Sequence, residues 1–272
     1  MGFRNRQRLG QYRIVRRLAV GGFAQVYRAR DTVEGIDVAL KIPHEHLVTR
    51  GVLNDFRKEA QLTAPLDHPN ILPIKTAGEI EGHFVIVTRL GDETLGDRLG
   101  RRLANKKKLV YAGQLLEALS FAHKRRIIHC DLKPENLILF PEGRLRLADF
   151  GIAKVARKTL KGSGSGTVGY MAPEQALGQP SARSDVFAAG LIIWRMLSGR
   201  LPEWPFEWPY VGTERVRRTW SPELLNLIRR ALAVDTRKRF SSAEAMLARF
   251  EDLRADALID DPSAPTQHRK AV

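Results

Sequence analysis

The stretch HCDLKPEN, residues 129–136, sets Asp131, Lys133 and Asn136 at short fixed offsets in a loop after a helix. Asp149 follows the apolar run LRLA and stands first in DFG. Lys41 closes the apolar strand DVALK, so its ammonium can point from a sheet into a cleft, and Glu59 on the following helix can pair with it. Each of these residues alone is ordinary: a solvated Lys or Glu, a turn Asp or Asn. Together they make a short parts list. Moving a phosphoryl group off a nucleotide needs a cation on the phosphates, oxygen ligands for Mg²⁺, an acceptor for the substrate hydroxyl proton, and backbone amides over the phosphate chain. Asn136 and Asp149 supply hard oxygens without thiol or imidazole. Asp131 is the proton acceptor and orienter, and Lys133 neutralises charge on the transferring group.

Such a set requires elements that hold it. YRIVRRLAV, QVYRAR and DVALKI, within residues 12–42, read as three strands joined by GGF and DTVEGI. Residues 52–64 have helical periodicity that stops at Pro65. ILPIKTAGEIEGHFVIVTRL reads as two more strands with a turn at Glu81-Gly82. Beyond residue 91 the period changes, and residues 108–126, 184–198, 221–233 and 241–254 read as helices. The expected fold class is α+β: a small antiparallel β-sheet lobe with one main helix over residues 1–90, and a larger, mainly helical lobe over 91–255. From about residue 256 periodicity is lost, so 256–272 is expected to be a disordered tail.

Composition narrows the function. The 272 residues include 45 Lys plus Arg against 30 Asp plus Glu, a formal net charge of +15. Such a surface attracts anions such as nucleotides and acidic proteins, but no nucleic-acid motif accompanies it, so no specific nucleic-acid partner is expected. A single cysteine, Cys130, excludes an intrachain disulfide and a Cys-cluster metal site, and suits a reducing, cytoplasmic setting. The longest apolar run, AAGLIIW at 188–194, is too short to cross a bilayer and reads as a buried helix. The N-terminal MGFRNRQRLGQYRI is basic and lacks the apolar core of a signal peptide.

The ordered series LAVGGFAQVY, VALK, Glu59, HCDLKPEN, ADFG, GTVGYMAPE and SDVFAAG, from about residue 10 to 254, resembles the protein kinase superfamily, and within it the bacterial Hanks-type serine/threonine kinases. The resemblance implies two lobes with ATP between them and Mg²⁺, with Mn²⁺ as an alternative, on Asn136 and Asp149. It implies nucleotide contacts from Leu18, Ala19, Gly21, Gly22, Val26, Ala39, Lys41, Thr88, Leu90 and Ile138, with Val26, Ala39 and Ile138 around the adenine. Thr88 to Leu90 would form the hinge, with Val87 as the gatekeeper at its start. Asp185 would anchor the catalytic loop, and Glu174 would pair with Arg239. Catalytic roles fall on Lys41, Glu59, Asp131 and Lys133. Lys133 and Thr167 match the Ser/Thr-specific pattern, and residues 166–174 match a platform for protein substrates. A homodimer is compatible with the resemblance.

Three departures stand out. The glycine loop reads Ala19, Gly21 and Ala24 where the family pattern has three glycines, with Gly22 added, so nucleotide handling is expected to be weaker rather than absent. Cys130 stands where most such kinases carry an Arg that receives a phosphorylated activation loop, so this chain resembles a non-RD kinase that does not depend on loop phosphorylation. Thr159, Ser163 and Ser165 are the candidate phosphosites there, beside Lys154, Arg157, Lys158 and Lys161. Cys130 itself is expected to be a packed residue under the loop. PEWPFEWPYVG, 202–212, cannot form a regular helix and is expected to plug the large lobe. Besides an active kinase, for which self-phosphorylation is compatible, two other functions fit parts of the sequence. One is a pseudokinase scaffold, for which the loop alanines speak. The other is a nucleic-acid binder, for which only the charge speaks.

Overall fold

Alternation of buried and more open positions along residues 24–43 marks the centre of a sheet. The computed structural model describes residues 2–150 and 168–259. Strands β1 (Arg8–Leu9), β2 (Tyr12–Val20), β3 (Ala24–Asp31), β4 (Ile36–Pro43), β5 (Ile74–Ile80) and β6 (His83–Arg89) pair antiparallel in the order β1-β2-β3-β4-β6-β5. In β4, Val38, Leu40 and Ile42 bury with Tyr27, Val85 and Val87 in a core on one face, leaving Ala39 and Lys41 on the other. The turn between β5 and β6 falls at Glu81-Gly82, as its sequence predicts. Both residues have positive φ, 48° and 78°, the geometry a two-residue hairpin prefers. Helix α1 (Arg50–Thr63) is capped by the Thr49 hydroxyl, which accepts from the Val52 amide, and ends just before Pro65. Its Phe56 is buried with Ala24 and Ile86, which fixes the helix on the open face of the sheet.

The helical lobe follows: α2 (Leu95–Leu99), α3 (Asn105–Lys124), α4 (Pro173–Ala176), α5 (Ala182–Ser198), α6 (Thr213–Arg217), α7 (Pro222–Ala231) and α8 (Ala243–Arg254). Strands β7 (Glu93–Thr94), β8 (Leu137–Leu139) and β9 (Leu145–Leu147) form a small sheet on it. The apolar run in α5 is buried on nearly all sides, with Phe187 and Trp194 at 0% exposure. The helix opens on a Ser181–Ser184 capping box and closes on Gly199 at φ 75°. A backbone strap joins the lobes: the Leu72 amide donates to Leu147 O at 2.9 Å and the Leu147 amide to Asn70 O at 2.8 Å.

Two sequence expectations need adjustment. Helix α3 begins at Asn105 rather than 108, because the lysine run 106–108 forms its first turns. Residues 256–259, expected in the aperiodic tail, are packed: Ala257 is fully buried, its carbonyl accepts from Ser221, and the Ile259 amide donates to Thr219 O. Aperiodicity there reflects an extended segment, not a loss of packing. In the 202–212 stretch, Phe206 and Trp208 pack on the lobe core while Trp204 remains exposed.

Candidate active site

Between the lobes lies a cleft of about 720 Å³, lined by Leu18, Ala19, Val26, Ala39, Lys41 and Glu59 from the sheet lobe. Thr88 and Leu90 line it at the junction, and Asn136, Ile138 and Asp149 from the helical lobe. Gly21, Gly22, Asp131 and Lys133 lie outside that lining. Gly91 sits where no side chain fits: a Cβ there would come within 2.3 Å of Ile138 and 2.7 Å of Leu139 O. The connection thus passes tight against β8.

One residue falls on the wrong side. Val87 pairs with Leu40 in the β4–β6 register and is fully buried in the core behind the sheet. Thr88, opposite Ala39, and Ile86, opposite Lys41, face the cleft instead. The gatekeeper expectation for Val87 is therefore corrected to the neighbouring face, where Thr88 stands.

The charges meet at the back of the cleft. Lys41 Nζ lies 2.8 Å from Glu59 Oε1 and 2.8 Å from Asp149 Oδ1. Burial works against the Lys41 ammonium, but the carboxylates of Asp149 and Glu59 outweigh it and raise its pKa. Asp149 shows the opposite balance: burial would raise its carboxyl, and Lys41 holds it below the usual carboxylate range. Glu59 is pushed up to about 7 by burial, because the pull of Lys41 is opposed by the charge of Asp149. Its Oε2 is buried with no hydrogen-bond partner among the described residues. Asp149 adopts φ 64°, a left-handed conformation for a non-glycine residue.

Next to this triad stands the loop 129–136. Lys133 Nζ donates to Asp131 Oδ2 at 2.8 Å, and Asn136 Nδ2 donates to Asp131 O at 2.8 Å and Oδ2 at 3.3 Å. With its amide nitrogen committed, Asn136 keeps Oδ1 for other work. The Asp131 side chain is 43% exposed, open to an incoming group. Asp185 supports the loop: its carboxylate accepts from the His129 amide at 2.7 Å, the Cys130 amide at 3.0 Å and His123 Nε2 at 3.0 Å. His129 donates from Nε2 to Ala148 O at 2.8 Å, accepts at Nδ1 from the Asp131 amide, and lies edge-on to Phe150. Both ring nitrogens are therefore occupied by backbone, which makes it a structural imidazole rather than a base. Cys130 is 5% exposed, packed as expected. Glu174 and Arg239 form the anticipated pair, at 2.8 and 3.1 Å, with the Arg239 side chain fully buried.

His44 was not foreseen. Its Nε2 donates to Gly21 O at 2.8 Å, and its Nδ1 meets Gln25 Nε2 at 3.3 Å. Gln25 Oε1 in turn accepts from Tyr27 Oη at 2.6 Å. A polar chain thus grips the β2–β3 hairpin that the sequence assigns to the phosphates. Nothing in PHEH signals this role, since the contact joins segments more than twenty residues apart. Thr167 and the candidate phosphosites Thr159, Ser163 and Ser165 lie outside the described residues, as do Lys154, Arg157, Lys158 and Lys161.

The family model for the protein kinase domain matches residues 12–250. The serine/threonine-protein kinase PrkC of Bacillus subtilis is 31% identical over 257 residues, which cover 88% of this chain and 40% of PrkC. The serine/threonine-protein kinase PknA of Mycobacterium tuberculosis is 37% identical over 206 residues, 71% of this chain and 48% of PknA. This chain thus spans less than half the length of either relative. Among solved structures, the PknI kinase domain of Mycobacterium tuberculosis shares the fold with a TM-score of 0.73 at 24% identity, over 94% of this chain and 100% of that one. The two-lobed architecture, the ion-paired cleft and these matches converge: the chain belongs to the protein kinase family, alongside bacterial serine/threonine-protein kinases.

Proposed function

We propose that the chain transfers the γ-phosphoryl group of Mg²⁺-ATP to Ser or Thr hydroxyls of protein substrates. The observation that carries this reading is the Lys41 ammonium shared between Glu59 and Asp149 in one cleft, next to a loop that presents Asp131. The oxygen donors fit a divalent hard cation: Asn136 Oδ1 takes no hydrogen bond from a described residue, and the ion pair of Asp149 among the described residues is with Lys41, a cation that a bound nucleotide can draw away. Two protein ligands suit Mg²⁺, which completes its shell with phosphate oxygens and water; Mn²⁺ takes the same donors. Held by Asn136 and Asp149, such an ion would supply positive charge at the nucleotide phosphates.

The rest of the work falls to side chains of this chain. Leu18, Val26, Ala39 and Ile138 hold the adenine, with Thr88 and Leu90 at its edge. Ala19, Gly21 and Gly22 cover the phosphates, and Glu59 holds Lys41 against them. The substrate hydroxyl oxygen bonds to the γ-phosphorus as the bond to the β–γ bridging oxygen breaks. Its proton passes to the Asp131 carboxylate, ADP leaves, and Lys133 offsets charge on the transferred group. Regulation is read as non-RD: with Cys130 in place of an Arg, transfer does not require a phosphorylated loop.

The test is transfer of radiolabelled phosphate from ATP to generic protein substrates, with Mg²⁺ and with Mn²⁺. Asp131→Asn is expected to lower transfer by about two to four orders of magnitude while nucleotide binding persists. A wild-type chain that binds nucleotide but transfers nothing makes it a pseudokinase and ends the proposal. In the same assay, alanine at Thr159, Ser163 and Ser165 together is expected to leave most activity; its loss would refute the non-RD reading.

A further inference from the structure

Gln25 and Tyr27 share one face of β3, and both belong to a run of hydrogen bonds that starts before the first strand. The Phe3 amide donates to Tyr27 Oη at 3.1 Å, and Tyr27 Oη donates to Gln25 Oε1 at 2.6 Å. Gln25 Nε2 donates to His44 Nδ1 at 3.3 Å, and His44 Nε2 donates to Gly21 O at 2.8 Å. Each link thus donates toward the next, from the segment ahead of β1 to the tip of the β2–β3 hairpin. Bonds aligned in this way polarise one another.

Both ends of the run are held. The Phe3 ring lies edge-on to Tyr27 at 5.7 Å and to His83 at 5.0 Å, and it packs on the sheet core. A Cβ on Gly2 would come within 2.7 Å of Tyr27 Oη and 2.8 Å of Gln25 Oε1, so the backbone there lies directly on the middle links. Residues 4–7 are tied to β2: the Arg6 amide donates to Ile14 O at 2.8 Å, and the Ile14 amide to Gln7 O at 2.9 Å. At the far end, the peptide unit between Gly21 and Gly22 is planar and trans. Holding Gly21 O therefore fixes the Gly22 N–H, which points to the opposite side. That amide donates to no backbone acceptor among the described residues.

We infer that Gly2 and Phe3 are positioning residues for the nucleotide: through Tyr27, Gln25 and His44 they set the Gly21–Gly22 peptide over the phosphates. Neither residue lines the cleft. Ordering this peptide in advance lowers the entropy lost when a nucleotide is bound. The inference rests on the reading of the cleft as a nucleotide site and extends that site to the segment before β1.

The test measures the Kd of Mg²⁺-ATP by calorimetric titration of the intact chain. The proteins are wild type, Tyr27→Phe, Phe3→Ala, His44→Ala, and each of the first two changes combined with His44→Ala. Affinity is read without turnover, so failure of this inference and failure of phosphoryl transfer are told apart. Tyr27→Phe removes one hydroxyl and keeps the buried ring. It should raise the Kd by about two- to fivefold, less than His44→Ala does, because Arg17 Nη1 still donates to Gln25 Oε1 at 3.3 Å. Phe3→Ala should act in the same direction, and Phe3→Leu should recover part of the affinity. In the His44→Ala background neither change should weaken binding further, since the link to Gly21 is already cut. A Kd left unchanged by Tyr27→Phe and Phe3→Ala overturns the inference, even if both lower the Tm. So do effects that multiply in full in the double variants. Tyr27→Phe preserves the packing, so it decides even if Phe3→Ala loosens the lobe. No nucleotide binding by wild type overturns both readings.

Discussion

Glu59→Gln should stabilise the protein while disabling it. Glu59 is 4% exposed, one of its oxygens has no hydrogen-bond partner among the described residues, and burial pushes its carboxyl from 4.5 up to about 7. A raised folded pKa means that the native state favours the protonated acid. That contribution is complete below the unfolded value of 4.5 and is lost as pH rises through about 7. The gap corresponds to roughly 3 kcal/mol. Asp149, held below 3.8, and Lys41, held above 10.5, act outside this window, so within the triad the slope belongs to Glu59, and the part from His68, lowered by burial, is common to both proteins and cancels in their comparison. Glutamine mimics the protonated acid at every pH. The variant should match wild type near pH 5 and exceed it by up to about 3 kcal/mol near pH 8. At about 2–4 °C per kcal/mol for a chain of this size, that is a gain of roughly 6–12 °C in Tm. Phosphoryl transfer should fall, since Lys41 loses the anchor that resists its capture by Asp149. Thermal melts of both proteins by circular dichroism across this range decide the matter. Parallel pH profiles, or a variant less stable than wild type near pH 8, would refute the reasoning.

The other predictions concern the hairpin and the lobe base. His44→Ala frees the Gly21 carbonyl and should raise the KM for ATP by about two- to tenfold, the worth of one hydrogen bond, with kcat less affected. His44→Gln, which keeps a donor, should recover part of it, and steady-state kinetics in which both variants behave alike would count against the grip. Arg239→Ala strands the Glu174 carboxylate beside a fully buried site and should cost about 3–5 kcal/mol in urea unfolding. Replacing the pair together by Met and Leu should restore much of that, and a loss below about 1 kcal/mol for the single change would show the pair to be solvated.

What could be read from the sequence follows from strand parity and punctuation. In DVALK the alternation puts Val38 and Leu40 inward, so Lys41 had to emerge on the opposite face with Ala39. The same logic fails for Val87. FVIV is apolar throughout because one face of β6 meets the sheet core and the other the cleft, so period alone does not distinguish them. Only the pairing of Leu40 with Val87 does. Lys106, Lys107 and Lys108 look alike as a charged run, and only the fold separates the third, which is buried while its neighbours are not. The grip of His44 and the fit of Gly91 against β8 are tertiary contacts with no local signature. Four tail residues past the last helical period were missed for a related reason: an extended segment can pack by backbone bonds to Thr219 and Ser221 without showing any period.

The loop that carries Asp131 shows how position 130 is used. Cys130 has φ 64°, a conformation that costs a non-glycine residue on the order of 1–3 kcal/mol. The strain is offset from below by main-chain contacts. Asp185 accepts from the amides of His129 and Cys130, at 2.7 and 3.0 Å, and Gln175 Nε2 donates to the Cys130 carbonyl. Asp185 is itself fixed by His123, whose Nδ1 accepts from the Ala243 amide at the start of α8. That acceptor role leaves Nε2 as the protonated nitrogen aimed at the carboxylate. Helix α5 and the loop 129–136 are therefore tied through one carboxylate that holds the loop by its backbone, and the His123 side chain extends the tie to α8. The bend at 130 consequently sets no demand for a charged residue. A buried thiol meets the steric requirement, and the backbone leading into Asp131 is held by Asp185 and Gln175.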